Sequence, residues 1–159
     1  MSTSRIFAAA LPGLTWQPTD PDPARRASID AWTADLQNVR PACDLDAGRA
    51  EWPVSRADGI LCINMIHISP WSATLGLLTG AARVLPSGGA LALYGPFRYG
   101  DRPLGPGNQA FDQDLRSRNP AWGLRTVDAV STVARSHGFG DPSIAEMPSD
   151  NLMLLFHRL

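Results

Sequence analysis

Short apolar runs alternate with amphipathic stretches along most of the chain. Residues 14–19 (LTWQPT) read as a short strand, and Asp22 follows in position to cap a helix whose first residue is Pro23. Ile29, Trp32 and Leu36 recur at helical spacing, which predicts a core-facing side for that helix. Residues 39–43 form a second short strand ending at Asp44, and after a turn-like stretch residues 59–66 form a third. Ser69 and Pro70 repeat the cap-and-proline pattern ahead of Trp71, Leu75, Leu78, Ala82 and Leu85, the clearest helical stripe in the chain. Beyond PSGG, residues 90–95 (ALALYG) are another strand, running into a loop at 95–107 rich in glycine and proline. Phe111 and Leu115 predict a short helix; Val127, Val130 and Ala134 predict another, capped by Thr126 and ended by Gly138. The closing SIAEMPSDNLMLLFHR reads as an antiparallel hairpin.

Strands alternating with amphipathic helices predict an α/β fold, a mostly parallel sheet covered by helices, with the hairpin as its antiparallel end. In such sheets ligands bind beyond the carboxyl ends of the strands. With 159 residues, the expectation is a single domain over 1–159. A net charge of −1 and 18% charged residues give no electrostatic footprint for nucleic acid or an anionic membrane, so the expected partner is a small molecule or a protein. Cys43 and Cys62 lie in apolar runs without CxxC spacing, as reduced core thiols of a cytoplasmic protein would. The apolar run at 6–11 is short for a signal peptide and is broken by Pro12 and Gly13, and no segment approaches a membrane span.

Polar residues recur at the carboxyl ends of the strands: Asp20 and Asp22, Asp44 and Asp46, Asn64 and His67, then Tyr94 and Arg98. A carboxylate just past a strand can accept the two hydroxyl hydrogens of a ribose, although Asp20 could equally cap the following helix. Asp44 suits either an exocyclic amine or a solvated turn. His67 is open to the roles of general base, hydrogen-bond donor or structural residue. His137 and His157 lie in other elements and no Cys/His cluster exists, so no metal site is expected. GxSxG and P-loop motifs are absent. The glycines and prolines of YGPFRYGDRPLGPGN shape a long loop that offers Tyr94, Phe97, Arg98 and Tyr99 at the ligand edge.

TWQPTDPDP, NMIHISPW, GGALALYGPFRYG, NQAFDQDLRSRNPAWGLR and NLMLLFHR together resemble a family of small methyltransferase-like proteins of the class I, S-adenosylmethionine-dependent type. The resemblance extends from about residue 7 to 159. It implies a Rossmann-like sheet whose last strand is antiparallel, S-adenosylmethionine as cofactor and a small-molecule acceptor. By the same resemblance Asp20, Asp44, Asn64 and Met65 would bind the cofactor, and Trp71, Arg98, Asn108 and Phe111 would face the substrate. His67 and Tyr94 would be the catalytic residues, His67 being the better candidate for a base where the acceptor carries a proton. Methyl transfer is an in-line displacement that mainly needs the acceptor held close and aligned.

Class I methyltransferases open with a strand and a glycine-rich turn that lets the backbone approach the cofactor. Residues 1–17 contain one glycine, Gly13, and no such motif. The expectation is therefore a sheet lacking its first strand and that turn, in an N-terminally incomplete domain with impaired cofactor binding. The alternative is a non-catalytic methyltransferase-like module that binds a partner or forms a homodimer.

Overall fold

In the computed structural model, which describes residues 3–159, Pro18 and Pro41 decide how the first part of the chain pairs. The segments expected as strands at 14–19 and 39–43 do run parallel, but as two isolated bridges, Trp16 with Val39 and Thr19 with Cys43. Neither proline has an N–H to give a ladder. The Gln17 side chain partly replaces the missing donors, giving its amide to the Pro41 carbonyl at 2.8 Å and the Pro18 carbonyl at 3.1 Å. This segment belongs to the first of two compact units, which ends at Pro53.

The same unit holds two helices. The first, α1 (Thr3–Ala10), takes up most of the apolar run at 6–11. The Asn38 amide satisfies a carbonyl in its last turn, donating to Ala8 at 2.9 Å, and also donates to Leu14 beyond it at 3.1 Å. The second, α2 (Pro23–Thr33), begins as expected, with the Asp22 carboxylate accepting from the Ala24 N–H at 2.8 Å. Its apolar stripe is only partly used: Ile29 is half-buried, whereas Trp32 is 50% exposed and is not a core residue.

The second unit, Val54–Leu159, is built on a four-stranded sheet. Its strands are β1 (Gly59–Ile63), β2 (Ala90–Gly95), β3 (Ser143–Met147) and β4 (Asn151–His157), in the order β1-β2-β4-β3. β1 and β2 are parallel, joined through α3 (Trp71–Val84), while β4 lies antiparallel to both β2 and β3. α4 (Pro106–Arg118) and α5 (Val127–Ser136) connect β2 to the hairpin. One sheet face carries Cys62, Leu91, Leu93, Leu152, Leu154 and Phe156, all buried, and with Leu78, Ala81, Val130 and Ala134 of α3 and α5 they make the core. Thr126 caps α5 as expected, accepting from the Ala129 N–H at 3.1 Å, and Gly138 beyond its end takes φ +79°.

Three boundaries differ from the sequence reading. β1 stops at Ile63 because Asn64 enters the left-handed region, φ 58°, and the chain turns. Ser69 does not cap α3; its hydroxyl donates to the Met65 carbonyl at 2.7 Å, and Pro70 fills the cap position with no side-chain bond. α4 spans thirteen residues and begins inside what reads as loop, since Pro106 suits the first helical position. Among the described residues no helix is long and apolar enough to cross a membrane.

Candidate functional site

Asn64 is the pivot at the carboxyl end of β1. Its N–H still donates to the Tyr94 carbonyl at 2.9 Å, completing the ladder, and its own carbonyl then accepts from the His67 N–H at 3.0 Å. Asparagine tolerates this left-handed conformation better than most residues, because its short polar side chain can bond locally. The resulting turn carries Met65 and buries Ile66 and His67.

His67 has no exposed surface. Its Nδ1 accepts the backbone N–H of Arg125 at 3.2 Å, its carbonyl accepts the Gly123 N–H at 2.9 Å, and its ring packs edge-on against Phe97 with centroids 4.7 Å apart. A ring nitrogen that accepts carries no proton, so the neutral imidazole holds its hydrogen on Nε2. Burial, aided by the Arg125 charge and opposed by Asp112, pushes the His67 pKa down to about 3.

Arg125 organises the turn from outside. Its guanidinium donates to the carbonyls of Ile66 at 2.9 Å, Ser69 at 2.6 Å and Ala121 at 2.9 Å, and lies 5.6 Å from the centre of the Trp71 ring. Asp112, buried on α4, fixes the segment that carries Arg125. It accepts from the Leu124 N–H at 2.7 Å, from Arg98 at 2.7 Å and from Arg116 at 3.1 Å. Burial pushes the Asp112 carboxyl up, but these three donors outweigh it and hold its pKa below the ordinary value.

Tyr94 lies elsewhere. Successive strand residues point to opposite sheet faces, so Tyr94 faces away from the side on which His67 meets Gly95. The phenol oxygen accepts from the Asn151 amide at 3.1 Å, and the Asn108 amide donates to the Asp150 carbonyl at 3.1 Å, so both are engaged with the hairpin turn. Of the expected site residues in this unit, Asn64, Met65, His67 and Trp71 are therefore gathered around the turn after β1. Tyr94 and Asn108 gather at the β3–β4 turn. Arg98 is committed to Asp112, next to the half-buried Phe111.

In the first unit, Asp22 is the helix cap and Asp20 accepts the Asp22 N–H at 2.9 Å. Asp20 lines an open groove of about 480 Å³ with Thr3 and Ser4 of α1 and Arg25, Ile29 and Trp32 of α2. Asp44 is exposed outside that lining, with Arg26 at 3.7 Å and Arg49 at 3.5 Å.

Sequence reasoning assigned no role to Arg125 or Asp112. Asp112 had a signal, an acidic residue three positions before the core Leu115 and hence on the buried side of α4. Arg125, in the irregular segment between α4 and α5, had none.

A model of a family described as protein of unknown function, DUF938, matches residues 3–158. The chain belongs to the DUF938 family. The DUF938 chain also has the fold of class I methyltransferases. It aligns with an O-methyltransferase family protein from Burkholderia thailandensis at a TM-score of 0.82 and 18% identity, over 97% of this chain and 46% of that one. It aligns with the S-adenosylmethionine-dependent methyltransferase SibL, in its apo form, at 0.79 and 21%, over 97% and 46%. A methyltransferase in calicheamicin biosynthesis, in an SAH-bound form, aligns at 0.75 and 16%, over 98% and 45%. The DUF938 chain thus spans just under half the length of these solved chains.

Proposed function

We propose that this chain is a S-adenosylmethionine-dependent methyltransferase domain acting on a small-molecule acceptor. The observation that carries the reading is the strand order β1-β2-β4-β3 with a reversed β4, within a fold that superposes on methyltransferases over nearly the whole chain. The residues fit the cofactor in part. Asp20, beside the apolar wall of Ile29 and Trp32, has the chemistry to hold ribose hydroxyls against an aromatic base. Asp44 would reach an exocyclic amine only in competition with Arg26 and Arg49. When bound, the cofactor supplies an electrophilic methyl group. The chain's part is to hold and align the acceptor; of the residues expected for that contact, Trp71 lies at the turn after β1, whereas Arg98 is taken up by Asp112 and Asn108 by the hairpin turn.

Thermal unfolding with saturating S-adenosylhomocysteine tests the reading. At a hundred times its dissociation constant the ligand adds about 2.7 kcal/mol, a visible rise in Tm, and Asp20→Ala should remove it. A folded chain with no shift overturns the reading. A second reading, a non-catalytic module, is favoured by the complete burial of His67. The exposure of Ile6, Leu11, Leu14 and Trp32 supports self-association within that reading, and light scattering would then give a dimer mass.

A further inference from the structure

Two buried polar atoms beside β2 have no hydrogen-bond partner among the described residues: the Asn64 side-chain oxygen and His67 Nε2. They are chemically complementary. The Arg125 N–H occupies Nδ1, so Nε2 bears a hydrogen to donate, and the Asn64 oxygen can only accept. They also approach the same point. A Cβ placed on Gly95 would stand 2.6 Å from Nε2 and 3.0 Å from the Asn64 oxygen, so glycine at this position is what lets both close on one spot.

We propose that His67 is a positioning residue and not a base: its Nε2–H is the donor for the Asn64 side-chain oxygen, and through that amide it holds the left-handed turn ending β1. The backbone already joins the two residues, the His67 N–H donating to the Asn64 carbonyl at 3.0 Å, so a bond between the side chains is a second link across the same turn. The imidazole itself is held in place, by the Arg125 N–H on Nδ1 and by Phe97 packed edge-on against the ring. The charged groups that act on it are the Arg125 guanidinium, which opposes protonation, and the Asp112 carboxylate, which favours it; burial sides with Arg125. Resting on the methyltransferase reading, one consequence concerns the substrate. His67 takes no proton from the acceptor, so an acceptor that carries one loses it to another group or to solvent.

The test is NMR of the full chain labelled with ¹⁵N at histidine and asparagine, between pH 5 and 8. His67 should show the Nε2–H tautomer without titrating, with a slowly exchanging ring proton. His67→Gln keeps a donor at similar reach and His67→Phe keeps a ring without one. The Asn64 side-chain amide signals should hold their position in the first variant and move in the second. Should His67→Phe fail to fold, Asn64→Ala serves instead: losing the acceptor should speed exchange of the His67 ring proton by roughly tenfold. A His67 that titrates in this range, an Nδ1–H tautomer, Asn64 signals moved equally by both variants, or unchanged exchange in Asn64→Ala would each overturn the proposal. No signal here depends on cofactor or turnover. Failure of the methyltransferase reading would leave these results intact, and their failure would leave that reading to its own test.

Discussion

The Arg125 backbone N–H donates to His67 Nδ1 at 3.2 Å across a separation of 58 residues. That one bond sets the tautomer of a buried histidine, and the same residue's guanidinium ties the carbonyls of Ile66 and Ser69. The turn after β1 is therefore held from the segment before α5 rather than by its own sequence.

Acid should expose the buried imidazole first. The folded pKa of His67 is depressed to about 3 from an ordinary 6.5, so between those values the unfolded chain binds a proton that the folded chain does not. Stability is full above about pH 6.5 and falls as pH is lowered, by up to about 1.4 kcal/mol per pH unit. Asp112 adds a loss of the same sign, but only below its ordinary value of 3.8. Urea unfolding at pH 7, 6 and 5 should show the His67 slope, and His67→Gln should flatten it.

Gly95→Ala should be poorly tolerated. The added methyl would stand 2.6 Å from His67 Nε2, a position real Cβ atoms do not occupy, and moving the imidazole away would disturb its bond from the Arg125 N–H and its packing on Phe97. The expected cost is about 1–3 kcal/mol, read as a fall in the urea midpoint at unchanged m-value.

Asp112→Ala would strand the Leu124 N–H and release Arg98 and Arg116, both partly exposed. Allowing for solvent screening of those arginines, the loss is about 1–3 kcal/mol. Asp112→Asn keeps one acceptor for Leu124 and should lose less. Equal losses in calorimetry would mean that charge, not the backbone bond, matters.

The hairpin turn offers a gain. Ser149 and Asp150 both hold positive φ, 62° and 54°, as the central pair of a turn closed by the Asn151 N–H donating to the Pro148 carbonyl at 3.4 Å, within the three-residue connection from β3 to β4. Such turns favour Asn-Gly, so replacing the pair by Asn-Gly should raise Tm, by relief of about 1 kcal/mol of backbone strain. The Asp150 carbonyl that accepts from Asn108 is backbone and survives the change.

Sequence alone determined what local chemistry determines. The helix at Asp22–Pro23, the cap at Thr126, the strand 90–95 and the closing hairpin are encoded by neighbours within a few residues, so periodicity and capping find them. The polar residues ending β1 were legible for the same reason. Their roles were not. His67 and Tyr94 read as candidates for the same catalytic role, yet strand alternation and the bare Cα of Gly95 put them on opposite sides of β2. Asp112 and Arg125 had no assigned role until the chain brought α4 and the segment after it against the turn following β1. Which nitrogen of a histidine carries the proton, and whether the ring meets water at all, depends on partners tens of residues away; only tertiary structure supplies them.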